Sequence, residues 1–216
     1  MAGCRMRAMG HFTGWPETAF DVLLQLDGDP SVAVREKHRK DREHLVRKPM
    51  VALLQDVADA DHAYEDFSVW GYGTHPWGWQ HQCAVVRMPG RFEIGLRFDL
   101  DGLDVSGGWA FSAREEVEKF RAAVADDSSG RALTEVVETL REEGFEVSGD
   151  LMKRVPRGYP PDHPRALLLR HRSLNAARHL DGDVWIHTPE TVERVVATAA
   201  QLRPLLSWLA DHVSAQ

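Results

Sequence analysis

Cysteine is scarce in this sequence, because Cys4 and Cys83 are the only two in a chain of 216 residues. They are far apart and fit neither a C-x-x-C motif nor a metal-ligand spacing, so neither a disulfide framework nor a zinc site is indicated and no metal is assigned. No uninterrupted hydrophobic run is long enough to cross a bilayer, and the N terminus lacks an apolar stretch of signal-peptide length. We therefore expect a cytoplasmic protein without a membrane partner.

The signature motifs of common nucleotide and cofactor enzymes are also missing. The sequence has no G-x-x-x-x-G-K-S/T phosphate loop, no G-x-G-x-x-G after a strand, no H-E-x-x-H and no G-x-S-x-G. Familiar NTPases, dehydrogenases, zincins and α/β-hydrolases are therefore not expected. The sequence leaves any cofactor unidentified.

The chain has no broad excess of positive charge, since 26 Lys and Arg stand against 33 Asp and Glu and give a formal net charge of -7. Non-specific nucleic-acid binding depends on such an excess, so nucleic acid is not an expected partner. The composition is 43% hydrophobic and 27% charged, which is typical of globular proteins. With no linker or repeat, we expect one domain over residues 1–216, with residues 1–11 as a poorly ordered tail.

Helical periodicity is strongest towards the two ends of the chain. Apolar spacing predicts a first helix over residues 12–26. Residues 31–57 are interrupted by Pro49 and are expected to form two helices or one kinked helix. A last long helix is predicted after Thr188, with a kink at Pro204.

The middle of the chain has a two-residue rhythm instead. Residues 82–111 alternate apolar and polar side chains around two turns, which predicts an antiparallel meander. Ser112 and Glu115 fit a capping box that opens a helix, and a second helix is predicted over residues 131–144. The expected fold class is α+β, an antiparallel β-meander core flanked by N-terminal and C-terminal helices.

The most unusual segment is residues 152–164, which contain four prolines and therefore cannot form a helix. Its candidate ligand-binding side chains are Lys153, Arg154, Arg157 and Tyr159. Guanidinium groups on a stiff loop suit the oxygens of a phosphate or carboxylate, so a small anionic ligand is the leading hypothesis. Further cations follow at Arg165, Arg170, Arg172 and Arg178. The alternative is that all these cations pair with the surplus of Asp and Glu.

Asp162 and His163 in the same segment are the candidate catalytic residues. A carboxylate that orients an imidazole could make His163 an acid or base in a hydrolase or transferase. A turn or helix N-cap explains an Asp before His-Pro equally well. Whether the protein is an enzyme stays open.

A Trp-rich loop at residues 70–81 could bind a protein partner or a second copy of the chain through Trp77 and Trp79. A self-packed aromatic loop that covers a sheet edge is the alternative. The basic run from Arg35 to Lys48 is typical of a solvated helix face, although it could instead line the same anion pocket.

Several of these segments together resemble a known family. They are Phe12-Thr13-Gly14, the Val46-Arg47-Lys48-Pro49-Met50 step, Gly107-Gly108-Trp109, and above all residues 151–159 with Asp162-His163-Pro164. On these residues the chain resembles the bacterial conserved hypothetical proteins called the domain of unknown function 2461 family. The resemblance implies an α+β domain in which Lys153, Arg154, Arg157, Gly158, Tyr159, Asp162 and His163 match the family motif. It implies no specific activity.

Overall fold

The computed structural model describes residues 11–71, 78–109, 113–181 and 184–214 of the chain. The expected tail, residues 1–11, lies outside the described residues except for His11. Within the described ranges, no helix is both long enough and apolar enough to cross a membrane.

Helices and strands alternate in blocks along the chain. The α-helices are α1 (Thr18–Gln25), α2 (Val32–Arg42), α3 (Lys48–Ala60), α4 (Arg114–Ala125), α5 (Asp127–Glu142), α6 (Ala166–Leu169) and α7 (Glu190–His212). The strands are β1 (Phe67–Val69), β2 (Gln82–Met88), β3 (Phe92–Asp99), β4 (Gly102–Trp109), β5 (Glu146–Ser148) and β6 (Leu174–Asp181). They form one six-stranded antiparallel sheet in the order β1-β2-β3-β4-β6-β5.

The α+β fold with helices at both ends is confirmed. The predicted meander is present as β2, β3 and β4, and the apolar positions of β3 are buried as its alternation requires. The sheet is wider than the predicted meander, since it also contains β1 and β6, which the sequence did not predict. β5 pairs antiparallel with β6, from Glu146 opposite Ala177 to Ser148 opposite Asn175.

The first helix begins later than the periodicity predicted. Gly14 has a φ of +104°, which an α-helix does not accommodate, and the backbone N–H of Trp15 donates to Ile186 O across 3.1 Å. Residues 12–15 therefore lie outside the helix, and Trp15 contacts the segment around Ile186. α1 starts only at Thr18, after Pro16.

Residues 32–60 form one run of helical backbone in which α2 and α3 are joined by a π-helical turn, Glu43–Arg47. Pro49 has no N–H to donate to the carbonyl of Leu45, and its ring would clash with that carbonyl in a regular α-helix. A wider turn relieves the clash. The sequence predicted either two helices or one kinked helix, and this continuous helical backbone is closer to the second alternative.

The two helices after the meander begin at different residues from those predicted. α4 has Ala113 as its N-cap, and Glu116 Oε2 accepts from Ala113 N across 2.9 Å. Glu116 therefore does what was predicted for Glu115, while Ser112 lies outside the described residues. α5 begins at Asp127, four residues before Arg131, because the Asp126 side chain caps its first turn.

The chain divides into two compact units. The first unit comprises Met1–Val85, Arg97–Leu103 and Asp181–Val196, and the second comprises Val86–Leu96, Asp104–Leu180 and Ala197–Gln216. In the first, Trp15 stacks on Phe98 with ring centroids 4.1 Å apart. In the second, Phe120 packs between Trp109 and Trp208. One domain over residues 1–216 stays a prediction.

Candidate functional site

The Pro-rich stretch from residue 152 to 164 is a loop that begins with a tight turn. Tyr159 N donates to Pro156 O across 3.3 Å, which closes the turn around Arg157 and Gly158. Gly158 has a φ of +97°, a conformation that a side chain would strain. Pro156 is buried and anchors the turn, whereas Arg157 is exposed at its corner.

Two further turns follow directly. His163 N donates to Pro160 O across 3.1 Å, and Ala166 N donates to His163 O across 2.8 Å. Pro161 and Pro164 stand at the second position of these turns, where their fixed φ suits the turn geometry. The loop thus has a defined backbone without regular secondary structure.

The two ends of the loop are held together by a short antiparallel bridge between Leu151 and His171. Beside it, Met152 N donates to Arg170 O across 2.8 Å, and Arg170 Nε donates back to Met152 O across 2.7 Å. His171 is buried, and this burial lowers its pKa, although a hydrogen bond between Nδ1 and Ser173 O opposes the shift. The neutral ring is therefore part of the loop's support.

The seven cations between residues 153 and 178 fall into two groups. Four are engaged: Arg165 with the carbonyls of Val124 and Ala125 and with Asp127, Arg170 with Met152 O, Arg172 with Asp150, and Arg178 with Gln201. The other three, Lys153, Arg154 and Arg157, are exposed and form no ion pair or hydrogen bond with any residue in the described ranges. Internal pairing therefore accounts for Arg165 and Arg172 but not for the three predicted ligand contacts.

Arg121 on α4 joins this basic group, although the sequence did not single it out. One terminal nitrogen of its guanidinium lies 2.9 Å from the sulfur of Met152, and its Nε is buried without a hydrogen-bond partner among the described residues. Burial lowers the pKa of Arg121, Tyr159 and Glu118 act in the opposite direction, and Arg172 lowers the pKa further. A signal was present in the sequence, since Arg121 interrupts the apolar stripe of α4 between Phe120 and Val124.

The remaining predicted site residues lie in the second half of the loop. Tyr159 is half-buried. His163 Nδ1 accepts from the backbone N–H of Arg165 across 3.0 Å, and the other ring nitrogen, Nε2, takes no part in this hydrogen bond. Asp162 is exposed and forms no hydrogen bond with His163. A catalytic role for Asp162 and His163 stays a prediction.

The ends of the Trp-rich loop are bound by the basic run, whereas Trp77 lies outside the described residues. Arg42 is 1% exposed, and its guanidinium donates to the carbonyls of Gly78, Trp79 and His81 and to Gln82 Oε1. Arg35 lies over the ring of half-buried Trp79, 4.4 Å from its centroid. Part of the basic run is thus a buried anchor and not the solvated face that its charge predicted. Partner binding through Trp77 and Trp79 stays a prediction.

Comparison with known proteins bears on the same loop. A family model described as "Conserved hypothetical protein (DUF2461)" matches residues 72–208, which include the loop and Gly107–Trp109 but begin after residues 12–14 and 46–50. No curated protein and no solved structure matches the chain significantly.

Proposed function

We propose that this chain, which belongs to the DUF2461 family of conserved hypothetical proteins, binds a small anionic molecule at residues 152–164, the basic loop. The main support for the proposal is that some cations of this region have protein partners and others do not. Lys153, Arg154 and Arg157 have no protein partner in the described part of the chain, although the net charge of -7 means that carboxylates are abundant. Cations left unneutralised in an acidic protein attract and concentrate anions.

The chemistry of the group favours phosphate or carboxylate. Arg154 and Arg157 can each present two parallel N–H donors to two oxygens of such a group, and Lys153 adds a point charge. The turn at Gly158 holds Arg157 and Tyr159 on one rigid backbone, so less conformational entropy is lost when a ligand binds. Tyr159 supplies a hydroxyl that can donate to the same ligand.

Arg121 strengthens the proposal from a different element. Its buried Nε lacks an acceptor among the described residues, and an unsatisfied charged donor costs free energy when it is kept from water. A buried donor of this kind needs an acceptor, and an anionic ligand would supply one. Arg121 is expected to support the loop through Met152 and to add positive potential.

A thermal-shift panel of nucleotides, sugar phosphates and small carboxylates tests the proposal. A ligand at one hundred times its Kd stabilises the folded state by about 2.7 kcal/mol, which raises the Tm by several degrees. The shift is expected to be lost in Arg157→Ala and kept in Lys37→Ala, which removes an exposed cation of α2. No shift with any compound, or equal shifts in both variants, would contradict anion binding at this loop.

A further inference from the structure

A cavity of about 690 Å³ lies beside the π-helical turn in the first unit. One wall is the segment of residues 11–14 before α1, and the other is formed by residues 43–52 of the turn and of α3. Small-molecule sites typically have volumes of about 300–1,000 Å³. The cavity is therefore of a size that holds an organic ligand.

The cavity exists because both walls are fixed in unusual conformations. Asp56 of α3 holds the segment of residues 11–14, since its Oδ2 accepts from Phe12 N across 2.7 Å and its Oδ1 lies 3.2 Å from His11 Nδ1. The opposite wall is the wide turn before Pro49, and the ring nitrogen of Trp15 donates to Val46 O of that turn across 3.0 Å. Single π-helical turns occur frequently at functional sites.

Two side-chain pairs lie next to each other on the turn, and one of them is already satisfied. Arg47 pairs with Glu43 across 2.9 Å and also donates to Trp70 O across 3.1 Å and to Val69 O across 3.3 Å. All three guanidinium nitrogens of Arg47 therefore have acceptors. Arg47 shapes the cavity and is not a ligand contact.

The second pair is open to a ligand. Lys48 Nζ lies 3.4 Å from His44 Nδ1, and both side chains are exposed at the cavity. When the Lys48 ammonium donates to Nδ1, the proton of the neutral His44 ring is on Nε2, and two N–H donors of Lys48 remain. The Thr13 hydroxyl on the facing wall forms no hydrogen bond within the described ranges. This edge offers several donors to an anion. Glu43 also lines the cavity, but its carboxylate is paired with Arg47, and Lys48 forms no ion pair with a carboxylate among the described residues.

One part of the lining is apolar. Pro49, Val51 and Ala52 are half-buried on the helix side, and Phe12 contributes from the opposite segment, which also includes His11. Such a surface favours a ring or a short hydrocarbon chain, because burial of apolar area stabilises a complex. The donor-rich edge and the apolar surface together indicate a ligand with an anionic group and an apolar body.

We infer that this cavity is a second binding site, for a small organic anion whose charged group contacts Lys48 and His44 and whose apolar body contacts Val51 and Ala52. Its lining residues belong to the first unit, whereas the basic loop belongs to the second. Its ligand differs from the loop's ligand because half of it must be apolar, whereas the loop can hold a bare phosphate or carboxylate. The carboxylic acids of aromatic rings meet both requirements.

Titration calorimetry with 2-naphthoate and its uncharged isostere 2-naphthamide tests the inference. The wild-type protein is expected to bind naphthoate about tenfold more tightly than naphthamide, because one charge-assisted hydrogen-bonded contact distinguishes the two compounds. Lys48→Met, which keeps most of the side-chain volume, is expected to weaken naphthoate binding about tenfold and to leave naphthamide binding unchanged. Lys40→Met, which removes another exposed cation before the turn, is the matched control and is expected to bind both compounds like the wild type.

Two further variants make the outcome decisive. Ala52→Phe fills the apolar end and is expected to weaken both compounds, whereas Arg157→Ala is expected to leave naphthoate binding intact even though it alters the basic loop. Equal affinity for the two compounds, no binding of either at millimolar concentration, or unchanged naphthoate affinity in Lys48→Met would overturn the inference. A loss in Arg157→Ala that equals the loss in Lys48→Met would also overturn it.

Discussion

The guanidinium of Arg121 reaches the sulfur of Met152, 2.9 Å away, and so connects α4 to the first residue of the basic loop. The contact is weak, since a thioether is a poor acceptor, and the neighbouring Nε has no acceptor among the described residues. An arginine in an apolar stripe with so little compensation costs stability. We expect its charge to contribute to binding at the loop instead.

Replacement of Arg121 is predicted to weaken anion binding without lowering the stability of the fold. Arg121→Met removes a poorly satisfied charge and keeps the volume, so the free energy of unfolding should change by less than about 1 kcal/mol or should increase. Affinity for pyrophosphate should fall severalfold, while Arg121→Lys should retain much of it. Urea denaturation and titration calorimetry measure the two quantities. A destabilisation of about 3 kcal/mol or more would instead identify Arg121 as a structural group.

Arg42 is predicted to be the most costly cation to replace on α2. Its removal leaves the carbonyls of Gly78, Trp79 and His81 without their donor in a buried region, so Arg42→Met should lower the free energy of unfolding by about 3 kcal/mol. Arg39 is exposed, and its one ion pair among the described residues is with Glu36 at 3.5 Å, so Arg39→Met should stay within about 0.5 kcal/mol of wild type. Similar losses in the two variants would mean that the Arg42 contacts contribute little.

Gly14 is predicted to tolerate no side chain. A methyl group at Gly14 would lie 2.0 Å from the carbonyl carbon of His187, and the φ of +104° is itself strained for alanine. Gly14→Ala should therefore cost more than about 3 kcal/mol of unfolding free energy. Gly28 has a φ of +70°, and a methyl group there would meet no atom within 4 Å, so Gly28→Ala should cost only about 1 kcal/mol. Thermal denaturation that ranks the two variants in the reverse order would contradict this packing.

His171 is predicted to make stability depend on pH in the weakly acidic range. Burial lowers the pKa of the folded-state ring below its ordinary value of 6.5, so the unfolded chain takes up a proton before the folded protein does. The free energy of unfolding should therefore be highest above pH 6.5, decrease as the pH falls below it, and level off once the folded-state ring is also protonated. His171→Asn, which keeps a donor for Ser173 O, should flatten this part of the curve. An equally steep curve in the variant would assign the dependence to other groups.

The sequence predicted best where local patterns decide the structure. Phe92, Ile94, Leu96 and Phe98 alternate strictly, and β3 buries all four. β6 was missed because its inward positions include Ala176 and Arg178, which carry little of the β-branched or aromatic signal of a strand. Pairing with neighbouring strands decides such a segment, and that pairing is not visible in a local window.

Prediction of the candidate sites from the sequence is limited in the same way, because contacts between distant residues are not visible in it. Lys153, Arg154 and Arg157 could be named from the prolines around them, because the loop is a local structure. Which cations pair internally depends on contacts such as Arg165 with Asp127, 38 residues apart in the sequence. The cavity beside the π-helical turn combines residues 11–14 with residues 43–52, and only the fold brings these segments together.

Titration of pyrophosphate into the wild-type protein and into the double variant Arg154→Gln, Arg157→Gln tests anion binding at the basic loop most directly. We predict one pyrophosphate per wild-type chain, an affinity that falls as the salt concentration rises from about 0.05 to 0.2 M, and binding at least about tenfold weaker in the double variant. Equal affinity in the two proteins, or no binding to the wild type, would contradict the account.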